Sequence, residues 1–248
     1  MEKKIIRKAL LLAGGYGTRL RPITDAIPKC LVTIGGRPLL SYWLNLLLNN
    51  ESKYKIEKVL INNHYLSEKV ENYIRNSIWR DQVDIIYEEN LLGTAGTLRK
   101  NTEYFNNEPF IVAHADNLSF FSLTDFVKQF ISRPDECIGT MMTFNTDNPS
   151  ECGIVDLNKK GIMIGYHEKI IKPPTNLANA ATFIFDNQIF KVIQENFLDN
   201  DLCGQIIPRL NGKLNTYKNN IYHRDIGNIQ SHQKAEIEIL NLKIKYNV

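Results

Sequence analysis

Cysteine is scarce in this sequence: four residues in 248, at Cys30, Cys137, Cys152 and Cys203. None stands in a Cys-x-x-Cys pair and no spacing fits a zinc template. The sequence therefore predicts reduced thiols in a cytoplasmic protein rather than a zinc site or a disulfide framework. No apolar run approaches the roughly 20 residues of a membrane span. The short run Ala9–Ala13 follows basic residues but ends in Gly14-Gly15, which marks a strand entering a turn rather than a signal peptide. An excess of one charge is also missing. Thirty Lys and Arg against 27 Asp and Glu leave a net charge of +3, too little for a nucleic-acid partner, although a local cluster would still hold a small polyanion. There is no repeat, low-complexity tract or long linker. With 43% hydrophobic residues, the chain is expected to fold as one domain over residues 1–248, without membrane or nucleic acid.

In the first half, apolar β-type runs alternate with helical periods. Residues 5–13, Val59–Ile61, Val83–Tyr87 and Phe110–Ala113 read as strands. Leu39, Leu40, Trp43, Leu44, Leu47 and Leu48 carry the i, i+3, i+4 pattern of a helix. A second helical face runs through Val70, Tyr73, Ile74 and Ile78, with Ser67 as its cap. Residues 94–105 follow a glycine loop as a short helix, and Ser122-x-x-Asp125 opens another as a capping box. This rhythm predicts a Rossmann-like α/β fold: a mostly parallel, mixed sheet flanked by helices. From about residue 136 the pattern changes. Ile138–Phe144, Gly153–Leu157, Ile162–Tyr166 and Thr182–Phe185 are short strands, with a hairpin turn at Asn158–Gly161. They form a strand-rich extension of the first half (about 1–135). A C-terminal helix over Ser231–Lys245 is expected to present Ile237, Leu240 and Ile244 on one side.

The strongest local signal is the stretch Leu12-Ala13-Gly14-Gly15-Tyr16-Gly17-Thr18-Arg19-Leu20, set just after a buried strand. Its glycines permit close backbone approach to a ligand. Successive free N–H groups form a concavity for phosphate oxygens, and Arg19 adds a guanidinium that matches a phosphate. The loop lacks the Gly-Lys-Ser/Thr ending of a P-loop. Leu20 stands where the dinucleotide fingerprint needs its third glycine. Pro28-Lys29 follows and supplies a second cation. His64, His114 and His167 form no spaced pair and read as core or supporting histidines.

These segments resemble the sugar-1-phosphate nucleotidyltransferases, the nucleoside-diphosphate-sugar pyrophosphorylases. The similarity rests on Leu12–Leu20, Pro22-Ile23-Thr24, Pro28-Lys29 and Pro38, and it continues through Leu92–Leu98, Val112–Asp116, Cys152–Val155, Tyr166–Lys169, Asn179–Ala181 and Asp225–Gly227. The resemblance implies a nucleotide-diphospho-sugar transferase type of fold with a small sugar-binding extension. It implies that the loop residues Leu12, Ala13, Gly14, Gly15, Gly17 and Thr18, with Arg19, hold a nucleoside triphosphate, and that Lys29 contacts its phosphates. Gly93, Thr94 and Ala95 would approach base and ribose. Asp116 and Asp225 would ligate Mg2+, a hard cation suited to oxygen ligands. Gly153, Glu168, Lys169 and Asn179 would bind the sugar phosphate. Ala115 and Ala181 depart from the family pattern, each replacing a glycine. Ala181 would be strained if that position requires a positive φ.

The implied reaction is in-line attack of a sugar 1-phosphate on the α-phosphate, with Arg19, Lys29 and Asp116 as the catalytic residues. Glu88 lies five residues before Gly93, where the family reads the base. A carboxylate only accepts hydrogen bonds; guanine offers two parallel donors, so GTP is the expected donor, as in mannose- or heptose-1-phosphate guanylyltransferases. Uridylyl, thymidylyl or cytidylyl transfer to another phosphate is the alternative within the class. A silent nucleotide-sugar sensor lies outside it. The sequence is compatible with a homodimer and carries nothing that specifies one.

Overall fold

A computed structural model describes residues 6–48, 54–105 and 107–246, with side chains described through Leu242. Its strands are β1 (Lys8–Leu12), β2 (Thr33–Ile34), β3 (Arg37–Pro38), β4 (Lys58–Asn63), β5 (Val83–Tyr87), β6 (Phe110–His114), β7 (Asn117–Phe120), β8 (Gly139–Asn145), β9 (Gly153–Leu157), β10 (Met163–Glu168), β11 (Leu177–Phe185), β12 (Leu214–Lys218) and β13 (Tyr222–Asp225). Its helices are α1 (Ile23–Ala26), α2 (Leu39–Leu48), α3 (Ser67–Arg75), α4 (Thr94–Lys100), α5 (Leu123–Ile131), α6 (Gln188–Glu195) and α7 (Ile229–Tyr246).

The main sheet runs β10-β9-β11-β6-β1-β4-β5, with β8 and β12 joined through β11. Strands β6, β1, β4 and β5 are all parallel, which is the expected Rossmann-like half. Strand β11 then turns the sheet antiparallel against β6 and β8. Strand order reverses between β1 and β6. The crevice outside their C-terminal ends is where open α/β sheets bind ligands. It is closed locally by the Ala115 amide, which donates to Leu12 O at 3.0 Å.

Alternating residues feed two cores. Ala9, Leu11, Ile111 and Ala113 pack with α2 and α5 on one face. Leu10, Leu12, Phe110 and Val112 pack with α4 and α6 on the other. A separate two-stranded ribbon, β7 with β13, pairs Asn117 with Asp225 and lies between this sheet and α7.

Several expected details change. Helix α3 starts at Ser67, preceded by Leu66 at φ 51° with no side-chain cap, so Ser67 is not a cap. Ile78 lies beyond the helix and is exposed. The 94–105 segment divides at Asn101 into α4 and a 3-10 turn, Thr102–Phe105. The Ser122 hydroxyl does accept from the Asp125 amide. Helix α7 is turned the other way: Ala235, Ile239 and Leu242 are buried, while Ile237 and Leu240 are 67% and 59% exposed. Docking on β2 and β13 selects the smaller row, through His232 to Thr33 O and Glu238 to Arg224. Ile5 and the Ile244 side chain lie outside what is described.

Candidate functional site

The glycine loop leaves β1 at Leu12 and passes over Asn62 at the end of β4. Asn62 Oδ1 accepts from the Ala13 amide at 2.7 Å, and a Cβ on Gly14 would meet Asn62 Nδ2 at 2.9 Å. Ala13 thus spends its N–H inside the protein and Leu12 is buried, so both support the loop. The amides of Gly15, Tyr16, Gly17 and Thr18 have no hydrogen-bond partner among the described residues. Unpaired successive amides of this kind suit an anion. Gly17 has φ 66°, and a Cβ there would meet Thr24 Cγ2 at 2.9 Å and Lys29 Cβ at 3.2 Å. Glycine is needed because the loop folds back onto Lys29.

Arg19, Lys29, Asp116 and Asp225 come together here although up to 206 residues separate them in sequence (225 − 19). Lys29 Nζ lies 2.5 Å from Asp116 Oδ2 and 3.7 Å from Asp225 Oδ1. A Cβ on Gly227 would fall 2.7 Å from Asp225 Oδ2 and 3.3 Å from Arg19 Nη2, so the Asp-Ile-Gly turn leaves room for that guanidinium. Burial alone would lower the Lys29 pKa, but the Asp116 and Asp225 charges more than compensate and raise it. Burial opposes ionisation of Asp116, yet the Lys29 ammonium holds its carboxyl below the usual range. The Cys30 thiol, buried and next to these charges, is pushed up to about 12. Burial also drives His223, on β13 beside Asp225, down to about 3.

Two buried polar atoms at the end of β6, His114 Nε2 and Asp116 Oδ1, have no hydrogen-bond partner among the described residues. For Asp116 this bears on a metal. One oxygen is occupied by a cation and the other is free, with Asp225 alongside. An all-oxygen pair of this kind fits a hard cation that retains water and phosphate ligands. No ready-made cluster of three His, Cys, Asp or Glu ligands occurs among the described residues, as such a cation does not need one.

The second glycine segment departs from expectation. Gly93 is exposed with φ 75°, and a Cβ would strike Asn200 O at 2.5 Å. Ala95, however, is buried and donates its amide to Asn200 O at 2.8 Å. Thr94 Oγ1 accepts from the Leu202 amide at 2.7 Å. Glu88 is only 1% exposed. Its Oε1 accepts from Thr97 Oγ1 at 2.5 Å and its Oε2 from the Leu92 amide at 3.3 Å. As folded, Glu88 braces the base loop from beneath instead of offering it a free carboxylate. The direct pairing with guanine expected from sequence does not hold in this arrangement, because the Glu88 carboxylate is buried beneath the loop with its oxygens turned to Thr97 and the Leu92 amide.

The sugar-side residues gather on one sheet face. Tyr166 OH donates to Glu168 Oε2 at 3.0 Å and accepts from Asn179 Nδ2 at 3.3 Å. A Cβ on Gly153 would lie 2.0 Å from that hydroxyl. Lys169 Nζ is 3.4 Å from Glu168 Oε1. Lys169 and Ala181 both have positive φ, 50° and 47°, strained for residues with a Cβ. The Ala181 amide is held by Asn179 Oδ1 at 2.9 Å. Cys152 joins the two clusters: Lys169 N donates to its carbonyl at 3.2 Å. It also helps line a cleft of about 250 Å³ with Thr146, His223, Asp225 and Gly227. Tyr166 was not singled out from sequence, although its two-residue spacing from Glu168 places both on one face of a strand. Asn62, near the C-terminal end of β4, carries no signal in the sequence.

A family model for nucleotidyl transferases matches residues 8–241. The chain belongs to the nucleotidyl transferase family. It is 30% identical over 258 aligned positions to a UTP–glucose-1-phosphate uridylyltransferase from Synechocystis sp., covering 96% of this chain and 64% of the relative. It is 33% identical over 194 positions to a mannose-1-phosphate guanylyltransferase catalytic subunit beta from Danio rerio, covering 75% of this chain and 52% of that one. The chain thus spans between half and two thirds of these curated relatives. A crystal structure of a Bacillus anthracis protein named for glucose-1-phosphate thymidylyl transfer, in complex with a sucrose, superposes with a TM-score of 0.79 at 22% identity, covering 94% of each chain. The nucleotidyltransferase fold is therefore shared. No helix among the described residues is long and apolar enough to cross a membrane.

Proposed function

We propose that this chain transfers a nucleotidyl group from a nucleoside triphosphate to a sugar 1-phosphate, releasing pyrophosphate. The observation that carries this reading is the meeting of Arg19, Lys29, Asp116 and Asp225 at the mouth of an amide-lined loop. A sugar-phosphate oxygen forms a bond to the α-phosphorus as the bond to the bridging oxygen of pyrophosphate breaks. The attacking group is already anionic at neutral pH, so no protein nucleophile is required. The raised thiol of buried Cys30 agrees with that. Catalysis then consists of positioning and charge stabilisation.

The free amides of Gly15 to Thr18 and the Arg19 guanidinium bind the phosphates that leave as pyrophosphate. Lys29 stands nearer the α-phosphate. Lys169 neutralises the sugar phosphate, and Glu168, steered by Tyr166, accepts from sugar hydroxyls. Asp116 and Asp225 would hold Mg2+, whose contribution is to neutralise charge between the two reacting phosphates. GTP is the donor on this reading, supported by relatives named mannose-1-phosphate guanylyltransferases. UTP is favoured by a different observation, the uridylyltransferase that aligns along 96% of the chain. The test is product formation from GTP, UTP, dTTP, CTP and ATP, each with mannose, glucose and heptose 1-phosphates, with and without EDTA. A GDP-sugar formed only with free divalent cation is expected. A UDP-sugar would retain the reaction and discard the GTP assignment, and EDTA-resistant turnover would remove the metal role.

A further inference from the structure

One cluster of side chains beside the site has no role in the chemistry above. The segment from Asn63 to Lys69, running from the end of β4 into α3, touches the glycine loop at Tyr16 and, beyond the loop, α1. At the near end, His64 Nε2 lies 2.9 Å from Tyr16 OH. The Tyr16 ring meets His64 edge-on at 5.1 Å and Tyr65 at 5.7 Å. At the far end, Tyr65 OH donates to Thr24 O at 3.1 Å and Lys69 Nζ to Ala26 O at 2.6 Å. The other ring nitrogen of His64 reaches the base loop, with Nδ1 2.7 Å from the Glu88 carbonyl oxygen. The Glu88 amide in turn donates to Asn63 O at 2.8 Å. Leu66 completes the segment with φ 51°, a left-handed position that costs free energy unless surrounding contacts hold it.

The proton positions follow from chemistry. A carbonyl oxygen only accepts, so His64 Nδ1 carries the proton toward Glu88. In the neutral ring Nε2 is then an acceptor, and the Tyr16 hydroxyl must donate to it. Tyr16 is 47% exposed, and burial does not hold it in place; its hydrogen bond and ring contacts do. A phenylalanine there would keep the ring contact and lose the tether.

We infer that His64 and Tyr16 are positioning residues that couple the two glycine loops into one nucleotide clasp. His64 sets the phosphate loop, Gly14–Arg19, at a fixed distance from the base loop, Glu88–Gly93, so that triphosphate and base are held together. This rests on the nucleotide-site reading above, but the tether itself exists without nucleotide. Each loop alone is a turn able to shift. Joined through one imidazole, they bind as a preorganised pair, which lowers the ordering cost of binding.

The test is a double-mutant cycle with Tyr16→Phe, His64→Leu and the pair together. Calorimetry measures the Kd of the preferred nucleoside triphosphate, and steady-state kinetics the KM of the sugar phosphate. Amide exchange in the free protein follows the bonds from Leu20, Arg21 and Asp25 that close the loop's turns. Loss of one such bond is worth about fivefold to tenfold. Each single variant is expected to raise the triphosphate Kd by that factor. The double variant should be no worse than the weaker single one, with the sugar-phosphate KM within about twofold of wild type. Amide exchange should accelerate by a similar factor. Unchanged exchange with unchanged Kd would overturn the inference. So would additive losses, or a loss in Tyr16→Phe that His64→Leu does not share, which would mean that the tyrosine touches nucleotide directly. If wild type binds no nucleoside triphosphate, the functional reading fails, and the exchange arm still decides whether the tether exists.

Discussion

The two halves of the candidate site are built by different means. On the nucleotide side, free backbone amides and the side chains of Arg19 and Lys29 gather where parallel strands β1 and β6 diverge. On the sugar side, Glu168 and Asn179 are aimed by Tyr166, and the backbone carries two strained residues, Lys169 and Ala181. Phosphate is a generic anion that a glycine turn can bind almost anywhere it exposes N–H groups. A sugar is distinguished only by the placement of individual hydroxyls, which demands side chains fixed by their neighbours. The phosphate side thus joins a local glycine turn to charges brought from distant strands, and the sugar side rests on side chains aimed by a single tyrosine.

That contrast can be broken first at Arg19. Arg19→Ala removes one preorganised cation from an exposed loop position. It should lower kcat on the order of 10²–10³-fold and leave the melting temperature unchanged, by pyrophosphate release and thermal unfolding. Normal turnover would remove Arg19 from the machinery. On the sugar side, Gly153→Ala drives a methyl group to within 2.0 Å of Tyr166 OH. Overpacking of this kind costs about 1–3 kcal/mol. The KM for sugar phosphate should rise about tenfold or more, with the KM for the nucleoside triphosphate unchanged. If both rise together, the two halves are not separate binding units.

His223 sharpens the comparison through pH. Its folded pKa, about 3, lies below the ordinary value of 6.5. The unfolded chain therefore takes up a proton that the folded chain refuses, and stability falls as pH drops below 6.5. Linkage gives about 2 kcal/mol lost between pH 7 and pH 5 from this group. His223→Gln should lack that part of the acid sensitivity in melts at the two pH values. Equal sensitivity in both proteins would contradict a half-buried histidine held neutral near Asp225. The smallest effect is expected at Ala181. Glycine there relieves a left-handed penalty of about 1–2 kcal/mol but adds about 0.5–1 kcal/mol of unfolded-state entropy. A gain of a few degrees at most in melting temperature is expected, measured beside the sugar-phosphate KM. A lower melting temperature would mean that Ala181 is not strained.

The same contrast accounts for what could be foreseen. The glycine loop, Lys29, the parallel half and the strand-rich half were all readable, because glycine turns and apolar alternation are local signals. Ala181 was flagged as strained, and its φ of 47° agrees. The errors lie where tertiary packing decides. Helix α7 has two apolar rows, and periodicity alone cannot tell that Ala235, Ile239 and Leu242 face inward. Glu88 has a different setting from the one its sequence position suggests, since Thr97 and the Leu92 amide claim its oxygens only in the folded loop. Tyr166 stands in a segment the sequence marks but has no role readable there, because its contact with Asn179 comes from another strand, thirteen residues away.

The most direct test of the central claim is a stoichiometric assay on the purified chain with Mg2+. Pyrophosphate and nucleotide sugar are quantified together, with each substrate omitted in turn. The account predicts one pyrophosphate per nucleotide sugar, formed only when both the nucleoside triphosphate and the sugar 1-phosphate are present. Pyrophosphate released without sugar phosphate, or no product from folded protein across the full substrate panel, would contradict it.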